Sequence, residues 1–204
     1  MNSRYLTLAH VRFAATGLLL IGALSACVGP AREPLDSFSG LNGGETVVVG
    51  RIELVPPLRK NEQKLKGLGT GNFENKIILI ADEQNRALTQ EPGMADYAGR
   101  IEAILGKNFF VRSDGKPFYI LGGMLYLDLG GQEMNRAYFP GGLKVSIKPG
   151  DKAVYVGTVR YHRNEFFEVT KAAIVDDYDR ANAEFKKKFG TKYPLRKALL
   201  TAVK

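Results

Sequence analysis

The stretch Leu143-Lys144-Val145-Ser146-Ile147-Lys148-Pro149-Gly150-Asp151-Lys152-Ala153-Val154-Tyr155-Val156-Gly157-Thr158-Val159-Arg160-Tyr161 decides the fold. In its first part Leu143, Val145 and Ile147 alternate with Lys144, Ser146 and Lys148. From Lys152 to Tyr161 the alternation resumes, with Tyr155, Gly157, Val159 and Tyr161 on one face. A period of two is the pattern of a strand with one buried face. Pro149-Gly150-Asp151 supplies the turn between the two parts.

The same reading extends outward. Toward the C-terminus, Arg163-Asn164 is a tight turn and Glu165 to Val175 is a further strand. Toward the N-terminus, Glu45 to Val55 alternates, with Val48, Gly50, Ile52 and Leu54 on one face and Arg51 and Glu53 on the other. Pro56-Pro57 ends that strand. Lys76 to Ala81 is a short continuous apolar run, the pattern of a central strand. Ile101 to Leu105 fits a strand or a helical turn. Asn108 to Arg112 and Pro117 to Leu121 flank Ser113-Asp114-Gly115-Lys116, and Asp-Gly is a hairpin signal. Gly122-Gly123 interrupts the apolar run to Leu129 and predicts a bulge or a bend. These segments predict an antiparallel β-sandwich of about seven to nine strands over residues 45–177.

The period changes after Val175. Asp176 or Asp177 can cap a helix that starts at Tyr178. Tyr178, Ala181, Phe185 and Phe189 then fall at helical spacing, and Gly190 is a stop. Pro194 opens a second predicted helix, with Leu195, Ala198, Leu199 and Ala202 on one side. Residues 178–204 are therefore read as a two-helix tail packed on the sandwich.

Charge concentrates in that tail. The chain carries 29 Lys and Arg against 21 Asp and Glu, a formal net charge of +8. Arg180, Lys186, Lys187, Lys188, Lys192, Arg196, Lys197 and Lys204 face only Asp179 and Glu184 within residues 178–204. Lys186, Lys187, Lys188, Lys192, Arg196 and Lys197 are the candidate contacts for an anionic partner, such as headgroups, an acidic protein or a cell-wall polymer.

The N-terminal region reads as an address. Arg4 and Arg12 form a positive segment, Phe13 to Ala23 an apolar one, and small residues follow. The apolar segment is shorter than the roughly 20 residues needed to span a bilayer. It ends at Leu24-Ser25-Ala26-Cys27, which contains the single cysteine of the chain. This run resembles the lipobox of bacterial lipoproteins. The resemblance implies cleavage before Cys27 and acyl chains on its thiol and amine. Each buried CH₂ contributes about 0.8 kcal/mol to anchoring, and several chains hold far better than one. Val28 stands where an Asp tends to retain Gram-negative lipoproteins in the inner membrane, so in a Gram-negative host the resemblance implies the outer membrane. Residues 28–44, rich in Pro, Gly and Ser, are read as a flexible tether reaching roughly 23 Å.

Lys148 to Lys171 is similar to the last hairpin of envelope lipoproteins whose domain resembles a prealbumin or carboxypeptidase-regulatory sandwich. The likeness implies a fold and carries no catalytic residue.

Chemistry is sparse downstream of Cys27. His10 leaves with the leader, and His162 is the other of two histidines. One His is too few for a usual zinc site. A Ser-His-Asp set would need His162 with Ser37, Ser39, Ser113 or Ser146, and none of these sits in a Gly-x-Ser-x-Gly turn. Gly67-Leu68-Gly69-Thr70-Gly71 lacks the Gly-Lys-Ser/Thr ending of a phosphate loop. Asp176, Asp177 and Asp179 lack EF-hand spacing. Glu165 and Glu168, three apart on a strand, face opposite sides and do not form a glycosidase pair. Phe109-Phe110, Tyr138-Phe139 and Phe166-Phe167 are adjacent pairs that a strand splits between two faces.

The expectation is a non-enzymatic outer-membrane lipoprotein on the periplasmic face, without cofactor or metal. Its partners would be the membrane, through the acyl chains, and an envelope protein or anionic polymer, but not nucleic acid. The alternative is a carrier of a small apolar or lipid ligand in a cavity near Gly122-Gly123. An envelope hydrolase is a third reading.

Overall fold

The computed structural model describes residues 32, 34–62, 75–88, 97–127 and 135–203. The leader, Cys27, the Gly67–Gly71 run and Lys204 lie outside the described residues, as do residues 28–31 and 33 of the expected tether.

The described chain is mainly β and forms two five-stranded sheets. The strands are β1 (Thr46–Val55), β2 (Lys76–Asp82), β3 (Ile101–Ile104), β4 (Asn108–Ser113) and β5 (Phe118–Leu127). They continue with β6 (Asn135–Val145), β7 (Ala153–Arg163), β8 (Val169–Val175), β9 (Arg196–Lys197) and β10 (Thr201–Ala202). One α-helix, α1 (Tyr178–Phe189), precedes the last two strands. The first sheet runs β4-β1-β7-β8, with β9 also on β7, and the second runs β10-β6-β5-β2-β3.

Between the sheets lies the main core. It includes Val48, Ile52, Leu79, Ile120, Leu125, Phe139, Val159 and Tyr161. On the outer side of the first sheet, Val47, Val49 and Tyr155 meet Ala181 and Phe185 of α1. β1 and β7 are therefore covered on both faces, which is why Val47-Val48-Val49 is apolar without a break. The helix buries the stripe expected of it, and Gly190, at φ +78°, ends it. Asp177 stands at its N-cap, but it is the Asp176 carboxylate that accepts from the Tyr178 N–H, at 3.1 Å.

Several expectations are corrected. The sandwich is not purely antiparallel, because β1 and β7 pair in parallel. The Asp114-Gly115 turn joins no hairpin, since β4 belongs to the first sheet and β5 to the second. Gly115, at φ +81°, lies so close to Gly44 that an added Cβ would fall 2.1 Å from the Gly44 carbonyl oxygen. The Pro149-Gly150-Asp151 turn likewise crosses between sheets, from β6 to β7. The Lys148–Lys171 region does contain the start of a true hairpin, in which β7 pairs antiparallel with β8.

The second predicted helix is absent. Residues 196–202 are extended and cross from one sheet to the other. Arg196 and Lys197 pair with Val154 and Tyr155 of β7, and Thr201 and Ala202 pair with Lys144 and Leu143 of β6. Leu195 packs in the cluster under α1, while Leu200 enters the core between the sheets. An extended segment wedged between layers must be apolar on both sides, which the three-to-four spacing of a helix imitates.

The expected bulge at Gly122-Gly123 is present. Register shifts between Ile120 and Gly122, so Ile120 faces the core between the sheets and Leu121 the outside. A second irregularity, opposite Gly50, was not expected. β7 gains a residue near Gly157, at φ +99°, which turns Tyr155 toward α1 while Val159 and Tyr161 stay in the core. These three side chains do not share the single face predicted for them.

Candidate functional site

Part of the predicted tether is instead fastened to the domain. The Arg32 N–H donates to the Arg100 carbonyl at 2.8 Å, and the Leu35 N–H to the Phe110 carbonyl at 2.9 Å. Pro34 bridges Val111 of β4. Leu35 is buried, and Phe38 stacks edge-on against Phe185 and Phe189 of α1. Arg32 and residues 34–38 thus form a strap. It links the entry to β3, an edge strand of one sheet, with β4, an edge strand of the other.

Beneath the strap lies a groove of about 330 Å³. Its floor is apolar. Phe109 points into the core and Ile104, 41 % exposed, lies open beside it. Phe110 takes the opposite face of β4, under the Lys188 ammonium at 5.3 Å and the Phe189 ring at 5.4 Å. The Phe109-Phe110 pair is split between two faces, as the strand period requires.

The groove's rim is basic. Lys76, Lys107 and Lys188 all border it. Lys76 lies 3.7 Å from Glu102 and Lys188 lies 2.6 Å from Asp36. Lys107 is exposed and forms no ion pair among the described residues. At one end Asn108 leads into a polar cluster. Arg51 is buried on the α1 side of β1, not solvated as the alternation implied. It donates to Asn108 and to Glu184, each at 3.1 Å, and Asn108 donates to Glu184 at 2.8 Å.

The six predicted anion contacts do not act as one set. Arg196 makes a paired contact with both carboxylate oxygens of Asp151, and also donates to the Ser146 carbonyl. That hydrogen bond holds the Asp151 carboxyl below the usual range. Lys197 is tied to Asp176 at 2.7 Å. Lys192 lies over the Tyr193 ring. Lys188 stands at the groove, and Lys186 and Lys187 are exposed on the last turns of α1. Missed by sequence reasoning were Lys76 and Lys107, which lie far from the tail in the chain and near it in space.

The remaining candidates are structural in their contacts. His162 is half-buried on β7, between Val55 and Lys171 of the neighbouring strands. Asp177 accepts from the Thr158 hydroxyl, and Glu168 from the Asn164 side-chain amide. Phe166 is 74 % exposed, while Phe167 packs against the core and under Arg163. Tyr138 is exposed and Phe139 buried. Neighbouring atoms approach the backbone closely at Gly122 and Gly123. A Cβ on Gly123 would lie 3.0 Å from the Ile78 carbonyl oxygen, and one on Gly122 would lie 3.0 Å from Leu88. Among the described residues, no three His, Cys, Asp or Glu gather as a metal site would need, and no helix is long and apolar enough to cross a membrane.

No family model matches the chain, and no curated protein and no solved structure matches it.

Proposed function

We propose that this chain is a lipoprotein of the bacterial cell envelope. In this reading it is acylated at Cys27, held at the periplasmic face of the outer membrane, and acts by binding rather than by catalysis. The observation that carries the reading is the run Leu24-Ser25-Ala26-Cys27 placed directly after a short apolar segment. The fold is compatible with that address. Cys27 is the single cysteine of the sequence, so the domain rests on its core and not on internal disulfides. The groove under the strap has an apolar floor and a lysine rim, which suits an amphiphilic or anionic partner.

Labelling cells with a palmitate analogue and fractionating their membranes tests the anchor. Label is expected in the outer-membrane fraction of the wild type and absent from Cys27→Ala. Identical processing and no label in either would overturn the reading in favour of a soluble periplasmic binder.

A further inference from the structure

We propose that the groove face is the surface that lies against the bilayer. There Lys76, Lys107 and Lys188 meet the phosphates of anionic phospholipids, and Ile104 lies toward the acyl boundary. The inference rests on the Cys27 anchor and adds an orientation and a lipid class to it.

Chain length supplies the first argument. Arg32 is fixed to Arg100 at the strap. Four residues lie between it and Cys27, so the five Cα–Cα steps span at most roughly 18 Å when fully extended. A domain of this size has a radius of gyration of about 15 Å. The strap end must therefore face the membrane, because the anchor is too short to let the domain turn over. The groove opens beside that strap.

Charge supplies the second argument. Lys76, Lys107 and Lys188 border the groove, and Lys186 and Lys187 lie on the adjoining helix end. Glu102 and Asp36 are the carboxylates paired among them, through Lys76 and Lys188. The three lysines that line the groove, against the two carboxylates paired with them, leave a basic surplus on this face. Ile104, an exposed apolar side chain, lines the same groove as these lysines. That pairing of an apolar patch with a basic border matches a headgroup layer, in which phosphates surround hydrocarbon.

The test uses the mature, acylated protein with phosphatidylcholine vesicles, prepared with and without phosphatidylglycerol. After flotation, lysines are footprinted with an amine-reactive ester. The protein is expected to float with both vesicles. Lys76, Lys107 and Lys188 should lose reactivity several-fold only when phosphatidylglycerol is present, and high salt should restore it. Lys171, on β8 at the opposite edge of the first sheet, should not change. Lys107→Gln and Lys187→Gln, both at exposed positions, should each weaken the protection of Lys76 about fivefold. Flotation with both vesicles but equal footprints overturns the proposal and leaves the anchor standing. Flotation only with phosphatidylglycerol vesicles overturns the anchor and supports the lipid-facing groove. Flotation with neither overturns both.

Discussion

Arg163 is a charged side chain in a nearly dry place. Its guanidinium donates to the carbonyls of Pro56 and Pro57 and to Glu62, and it stacks over Phe167. Both members of the Arg163–Glu62 pair are under a tenth exposed. Removing one partner leaves the other charge buried and unpaired, at a cost of about 3–5 kcal/mol. Arg163→Ala is therefore expected to lower the unfolding free energy by that amount in a urea titration; a loss under 1 kcal/mol would show that water reaches the site. The sequence placed Arg163 in a tight turn, and nothing local announces that two consecutive carbonyls more than 100 residues away converge on it. Tyr155 was equally hard to read. Its face depends on one extra residue near Gly157, and a single-residue bulge reverses every later position of a strand. Ile120, by contrast, was legible, because Gly122-Gly123 marks its bulge in the sequence itself.

At the scale of elements, the long alternating strands and the helix α1 were readable from period alone. Their ends agree with expectation to within a few residues, except for β5, β6 and β8. What period does not encode is which strand pairs with which. Two turns that look like hairpin turns, at Asp114-Gly115 and at Pro149-Gly150-Asp151, carry the chain between sheets instead. The last segment shows the same ambiguity. Its Ala198 and Leu200 N–H groups donate to the carbonyls of Tyr155 and Val156, and the Val203 N–H donates to Gly142. It thus seals the side of the sandwich opposite to the strap by joining β7 to β6. Leu200→Ala is expected to cost about 2–5 kcal/mol, as for other fully buried leucines. The neighbouring exposed Thr201→Ala should cost under about 0.5 kcal/mol. Paired thermal melts would reveal the contrast, and equal shifts for the two would mean that the segment does not enter the core.

For the whole molecule, the layer order was only half legible. A two-sheet core with a helix outside follows from pattern, but the parallel β1–β7 pair joins segments about 100 residues apart and has no local signal. The candidate site was less legible still. Lys188 was recognised in a basic run, whereas its companions, Lys76 on β2 and Lys107 in the turn between β3 and β4, meet it only through topology. Global stability should carry the marks of two groups. Burial raises the Tyr161 phenol well above its ordinary range, and Tyr161 donates to the Pro140 carbonyl at 2.9 Å. Its contribution is complete below about pH 10, the unfolded value, and is lost as pH rises beyond it. Asp151 shifts the other way, so its contribution is present above about pH 4 and is lost as pH falls below that. Denaturation between these limits should show a plateau. Tyr161→Phe should flatten part of the alkaline decline, since burial also raises the Tyr155 and Tyr97 phenols, at the expense of about 1 kcal/mol on the plateau. An unchanged alkaline limb would rule out the buried phenol as its source. The strap, finally, has a mechanical consequence. If Cys27 is fixed in a membrane, any pull on the domain loads the Arg32–Arg100 and Leu35–Phe110 hydrogen bonds first, one after another, as in peeling tape. Those contacts yield before the sheets do. Freeing the strap then adds its slack to the leash without unfolding the sandwich. A short, stiff attachment at rest becomes an extensible one under tension.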